Sequence, residues 1–136
     1  KYLNKLKLII EENKLENQVK FLGPIYGEDK LKILSESFCL VLPSKSENFG
    51  NVVLEAISQD TPVIASKNTP WEILKENNAG YWVDASVDSI KNALNEIILI
   101  DDEKYTQIQK RAKSLLNNKF SFKNNIYLWS KYYSKL

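Results

Sequence analysis

No histidine occurs anywhere in the 136 residues. A Ser-His triad and the usual imidazole metal sites are therefore excluded within this chain. Cysteine is nearly absent. Cys39 is the only one, so no internal disulfide can form. It lies in an apolar run, where a buried structural thiol fits better than a reactive one, and it suits a reducing cytoplasm. Arginine is as scarce: Arg111 is the only one among nineteen basic residues. Lysine cannot make the planar bidentate fork that favours nucleic acid, so a nucleic-acid partner is not expected. Apolar runs are only a few residues long, which excludes a membrane-spanning helix. The chain begins at Lys1 rather than Met, so the lack of a visible leader carries no information.

What remains is the composition of a folded domain. Hydrophobic residues make up 43% and charged residues 26%, enough apolar surface for a real core. The length suits one domain, 1–136. The net charge of +2 is unevenly spread. Residues 103–136 hold eight basic residues and one acid, whereas 1–102 hold eleven basic and sixteen acidic ones. The basic segment suits either a solvated helix face or contact with an anionic membrane surface.

Strand and helix signals alternate along the first two thirds. Tyr2 to Asn13 carries Leu3, Leu6, Ile9 and Ile10 at helical spacing. Val19 to Leu22 reads as a short strand ending at Gly23-Pro24. Asp29 to Ser37 reads as a helix, and Phe38 to Leu42 as a strand covered on both faces. Asn51 to Ser58 is apolar nearly all round, so it predicts a buried helix. Pro62 to Ala65 and Gly80 to Val83 are further strands. Pro70 to Asn77 predicts a short helix with Pro70 at its first position. Three helical stripes follow: Val87, Ile90, Leu94, Ile97, Ile98; Tyr105, Ile108, Ala112, Leu115, Leu116; and Phe122, Ile126, Trp129, Tyr133, Leu136. The fold class is therefore α/β. The pattern predicts a Rossmann-like parallel sheet of about four strands, flanking helices, and a helical C-terminal segment over 103–136.

Chemistry concentrates in Pro43-Ser44-Lys45-Ser46-Glu47-Asn48-Phe49-Gly50-Asn51-Val52-Val53-Leu54-Glu55-Ala56. This loop leaves the carboxyl end of a predicted strand, where α/β sheets bind ligands, and enters a helix. A helix N-terminus offers open amides and positive partial charge to an anion such as a diphosphate. Gly50 allows close backbone approach, and the amides of Gly50, Asn51 and Val52 are the expected cradle. Glu47 and Glu55 cannot bind phosphate, but they can accept bonds from hydroxyls. Each has a plainer reading. Glu55 could complement the helix dipole or meet a lysine. Glu47 could close a capping box with Ser44.

Taken in order, Val19-Lys20-Phe21-Leu22-Gly23, Phe38-Cys39-Leu40-Val41-Leu42-Pro43-Ser44, Glu47 to Glu55, and Thr61-Pro62-Val63-Ile64-Ala65-Ser66 resemble the family 4 (group 1) glycosyltransferases. The matching part is the C-terminal nucleotide-sugar-binding domain of their GT-B fold. The resemblance is clear from about Val19 to Val83. It implies a retaining transferase that uses a nucleoside-diphosphate sugar and no metal or other cofactor. It places Glu55 on the ribose hydroxyls and Glu47 on the donor sugar as the catalytic carboxylate. Phe49, Gly50, Asn51 and Val52 complete the donor site. Alternatives are an epimerase-like sugar-nucleotide domain and a non-catalytic nucleotide-sugar or protein-binding module.

Some departures from the family pattern matter. Glu72 matches a position where the family often carries Glu after a Pro, but Asn68-Thr69-Pro70-Trp71-Glu72 lacks the paired glycines common in the family's equivalent loop, so a phosphate or acceptor role there stands beside the reading of Glu72 as a first-turn acid. Asp60 stands where a glycine is often found, a turn variation. Trp71, Tyr81 and Trp82 could form a sugar-facing surface, but the default expectation is that they pack in the core. The family's domain opens with two further strands and brings an Arg and a Lys to the diphosphate. Those elements and the N-terminal acceptor domain precede the matching stretch. The expectation is a chain inactive alone, working at the inner face of the membrane in cell-envelope polysaccharide or glycolipid synthesis. The third stripe predicts self-association or peripheral membrane contact. The two missing strands predict either direct pairing of Val19–Leu22 with Phe38–Leu42 or a partner chain in the gap.

Overall fold

A computed structural model describes residues 2–121. The elements run α1 (Tyr2–Glu12), α2 (Gly27–Ser35), β1 (Leu40–Leu42), α3 (Asn51–Ser58), β2 (Val63–Ser66), α4 (Glu72–Glu76), β3 (Tyr81–Val83), α5 (Val87–Leu99) and α6 (Asp102–Lys119). The strands form one parallel sheet in the order β1-β2-β3. Leu40 lies opposite Val63, and Ile64 opposite Tyr81. The α/β class and the parallel sheet are as the alternation of signals predicts. No described helix is long and apolar enough to cross a membrane.

Side chains alternate across the sheet, as the two-residue period of a strand requires. Val63 and Ala65 face a core shared with Leu34 of α2, Val53, Ala56 and Ile57 of α3, Leu74 of α4, and Ala112 and Leu115 of α6. Ile64 faces the other way, toward Ala93 and Ile97 of α5, with Val41, Tyr81 and Val83 around it. All four residues of β2 are buried, which explains the apolar run Val63-Ile64-Ala65, and Ser66 at its end is satisfied through its hydroxyl. Ser86 caps α5 by accepting from the Ser89 amide at 3.2 Å, and Asp101 caps α6 by accepting from the Lys104 amide at 2.8 Å. Such caps satisfy donors that the first helical turn leaves open.

Several expectations are corrected. The sheet has three strands among the described residues, not four, because Val19–Leu22 is not a strand. A strand is made by pairing, and this segment pairs with no strand among the described residues. The Val19 amide instead closes a turn onto the Leu15 carbonyl at 3.0 Å. Phe21 and Leu22 stand 46% and 58% exposed. Direct pairing with β1 does not occur, and β1 is left at an edge of the sheet. Helix α4 begins at Glu72 with Trp71 as its N-cap residue, so Pro70 precedes the helix rather than opening it. In α5 the buried pair is Ala93 and Ile97, while Val87 and Ile98 of the predicted stripe face solvent. The stripe from Phe122 to Leu136 lies outside the described residues.

Candidate functional site around the α3 N-terminus

The chain leaves β1 at Leu42 and crosses residues 43–50 before entering α3. Gly50 is the N-cap residue, with φ 76° and ψ 64°. This left-handed backbone costs any residue with a Cβ. The space is also closed. A Cβ on Gly50 would lie 3.2 Å from both Glu47 Cγ and Leu42 Cδ2, and 3.4 Å from Trp71 Nε1. No side chain caps α3. The Val53 amide bonds the Gly50 carbonyl at 2.9 Å, which leaves the earlier amides of the turn open to an anion. Asn51 is exposed there and Val52 half-buried.

The loop is fastened from behind. The Trp71 indole, fully buried, donates Nε1–H to the Phe49 carbonyl at 2.5 Å. Its ring also packs against Phe49 and Phe120, with centroids 5.1 and 5.4 Å away. At the loop's start, the Ser66 hydroxyl donates to the Ser44 carbonyl at 2.6 Å. Trp71 thus has the core role expected of it, and it holds the backbone just ahead of Gly50.

The two carboxylates differ. Glu47 is half-buried and makes no hydrogen bond or ion pair within the described residues. The capping-box reading fails, since no helix starts between Ser44 and Glu47 and α3 begins only at Asn51. Glu55 lies on the second turn of α3. Its Oε1 meets Lys30 Nζ of α2 at 2.6 Å, with the side chains 31% and 33% exposed. Its Oε2 is buried and has no hydrogen-bond partner among the described residues. Buried polar atoms are rarely left so, and each asks for an explanation. Oε2 is shut off from water, so an incoming hydroxyl reaches it only when the atoms around it give way.

Lys30 was not singled out from the sequence. It is separated from Glu55 by twenty-five positions, and nothing in its local pattern marks it. Glu72 is exposed in the first turn of α4, as an ordinary helix-start acid. Asp60 has φ 58°, the left-handed geometry that makes glycine the easier choice there. Among the described residues, no group of three Cys, Asp or Glu side chains converges in a way that could hold a metal. Burial pushes the half-buried Cys39 thiol above its ordinary range, which lowers its thiolate fraction near neutral pH. A cavity of about 480 Å³ beside β3 lies away from the loop, and one of about 720 Å³ beside α5 meets it only at Pro43; none of the predicted site residues lines either. The candidate site is an open cradle rather than an enclosed pocket.

A family profile described as glycosyl transferases group 1 matches residues 1–115. The chain is 36% identical over 123 residues to the alpha-1,3/1,6-mannosyltransferase ALG2 of Dictyostelium discoideum, covering 90% of this chain and 29% of that protein. It is 32% identical over 102 residues to the D-inositol 3-phosphate glycosyltransferase of Corynebacterium jeikeium, covering 74% and 24%. The crystal structure of Anabaena Alr3699/HepE in complex with UDP and glucose superposes with a TM-score of 0.84 at 26% identity, over 99% of this chain and 37% of that one. The chain therefore spans under a third of these curated relatives and about a third of the solved one.

Proposed function

We propose that this chain, which belongs to the group 1 glycosyl transferases, forms part of the donor-binding domain of a retaining enzyme. Such an enzyme moves a sugar from a nucleoside diphosphate to an acceptor without a metal. The open amides at Gly50, Asn51 and Val52 take the diphosphate, with Phe49 bordering them. Glu55 takes the ribose hydroxyls. Glu47 takes hydroxyls of the donor sugar and stabilises the positive character that its anomeric carbon gains as the diphosphate leaves. The observation that carries this reading is Glu55. A carboxylate with one buried, unpartnered oxygen stands on an apolar helix whose N-terminus is open and uncapped. The solved relative of 26% identity, crystallised with UDP and glucose, supports the same class of ligand.

The rest of the reading follows the family. An acceptor domain and the cations that neutralise the departing diphosphate belong to the larger protein. Residues 1–136 alone are then expected to be inactive. A role in envelope polysaccharide or glycolipid synthesis, at the inner face of the membrane, completes the reading; its envelope part is supported by the likeness to the lipopolysaccharide core biosynthesis glycosyltransferase LpsE of Rhizobium meliloti. One observation favours a second reading. The Lys30–Glu55 pair would make Glu55 a tie between α2 and α3 and nothing more. Calorimetry on the intact protein separates the two. Glu55→Gln is expected to weaken UDP or GDP binding by about 1–3 kcal/mol, the scale of a hydrogen bond to a charged group. Unchanged affinity for the cognate nucleotide would leave Glu55 a structural tie.

A further inference from the structure

Glu55 presents an incomplete set of interactions. Oε2 is enclosed without a partner, and Oε1 has one, the Lys30 ammonium at 2.6 Å. Enclosed carboxylates are costly unless a counter-charge or donors compensate them. Lys30 supplies that compensation from a different helix. Its own helix, α2, follows directly on Gly23-Pro24-Ile25-Tyr26, a stretch exposed except at half-buried Ile25. At its far end α2 is pinned by the Thr61 hydroxyl, which donates to the Leu34 carbonyl at 2.6 Å. Lys30 is thus a fixed cation aimed at a carboxylate oxygen.

We propose that Lys30 is a positioning residue of the donor clamp: it fixes the Glu55 carboxylate in the orientation that receives two hydroxyls, and acts only through that carboxylate. The proposal rests on reading Glu55 as the ribose clamp. A carboxylate has about four lone-pair sites. The ammonium occupies one on Oε1, which leaves the remaining sites of the carboxylate unpartnered and able to take a vicinal diol once the atoms that enclose Oε2 give way. Without Lys30 the carboxylate has no fixed partner among the described residues. It would swing toward water, and the diol would bind at the cost of ordering it again. Lys30 touches no ligand in this scheme, which separates it from a cation bound to phosphate.

The test is calorimetry on the intact protein with UDP and with GDP, using Lys30→Met, Lys30→Arg, Glu55→Gln and the Lys30→Met/Glu55→Gln double variant. Lys30→Met is expected to weaken the cognate nucleotide about tenfold, and Lys30→Arg to restore most of it, since the charge can still reach the carboxylate. The double variant is expected to bind no more weakly than Glu55→Gln alone, because one residue acts through the other. If the methionine variant does not fold, Lys30→Gln serves in its place, with the same direction expected. Native affinity in Lys30→Met beside weakened Glu55→Gln would overturn the role of Lys30 and leave the clamp standing. Losses that add in the double variant would also overturn it, by making Lys30 a direct ligand contact. Tighter binding in Lys30→Met would make Lys30 a competitor for the hydroxyl site and refute the proposal. Native affinity in Glu55→Gln would remove the clamp itself, and the proposal with it.

Discussion

Gly50→Ala is expected to destabilise the protein by about 2–3 kcal/mol. About 1–2 kcal/mol comes from placing a Cβ on a left-handed backbone. The remainder comes from crowding, since the new methyl would sit 3.2 Å from Leu42 Cδ2 and Glu47 Cγ. Each neighbour must give by a few tenths of an ångström, and Leu42 packs against the core, so its retreat has a cost. For a domain of this size each kcal/mol lowers the melting temperature by roughly 3–5 °C. The expected fall is therefore roughly 10 °C in a thermal scan by circular dichroism. Gly27 is the control. It has φ 58°, and a Cβ there meets no atom within 4 Å, so Gly27→Ala carries the backbone cost alone, about half the fall. Equal shifts in the two variants would refute the crowding argument. No shift at Gly50 would mean that α3 is not entered through a left-handed residue.

Glu47→Ala should leave the melting temperature within about 2 °C, because Glu47 has no bonded partner among the described residues to lose, while transfer by the intact enzyme falls roughly a hundredfold; a large loss of stability would refute the open-carboxylate reading. Trp71→Phe should cost about 1–3 kcal/mol in urea unfolding through the lost bond to the Phe49 carbonyl and the void left by the smaller ring, and an unchanged midpoint would mean that the loop is held elsewhere. The raised Cys39 and Tyr105 pKa values, both caused first by burial, fix the sign of an alkaline effect. The unfolded chain loses these protons first, so stability is fully present below pH 9.0 and falls as pH rises through the ordinary values of 9.0 and then 10.0. A stability profile that rises across that window would contradict it. A neutral maleimide at pH 8 should label Cys39 more slowly in the folded protein than in urea.

The parts that could be read from the residues were those whose signal is local. Asn51–Ser58 is helical over the predicted span, because an octamer apolar on nearly every side has few alternatives to burial. β2 and β3 announced themselves as short apolar runs bounded by turn residues. The errors came where the answer lies outside the segment. Val19–Leu22 has strand composition, but composition does not dictate pairing with the edge that β1 offers. Ser44 and Glu47 have capping-box spacing, but spacing does not say where the helix begins, and Gly50 moved that point downstream. Pro70 was displaced from α4 because Trp71 turns into the core and takes the N-cap place. In the site, Glu47, Gly50 and Glu55 were legible as residue types out of character with their surroundings. Lys30 was not, since an ammonium on a mixed helix looks like any solvated lysine until the fold sets it against a carboxylate.

The contact between Trp71 and the Phe49 backbone gives the molecule an optical property. An indole shut away from water emits at shorter wavelength than one in contact with it. Trp71 is almost wholly enclosed, and its ring nitrogen is bonded to the very loop that leads into the cradle. Trp82, the other described indole, is tied to the Thr69 carbonyl at 3.1 Å, on the far side of the same crossover. Any displacement of residues 47–50 changes the hydrogen bond and the ring contacts of one chromophore while leaving the other in place. The emission band thus carries a built-in gauge of the loop, and replacing both Trp82 and Trp129 by phenylalanine would isolate the Trp71 share of it.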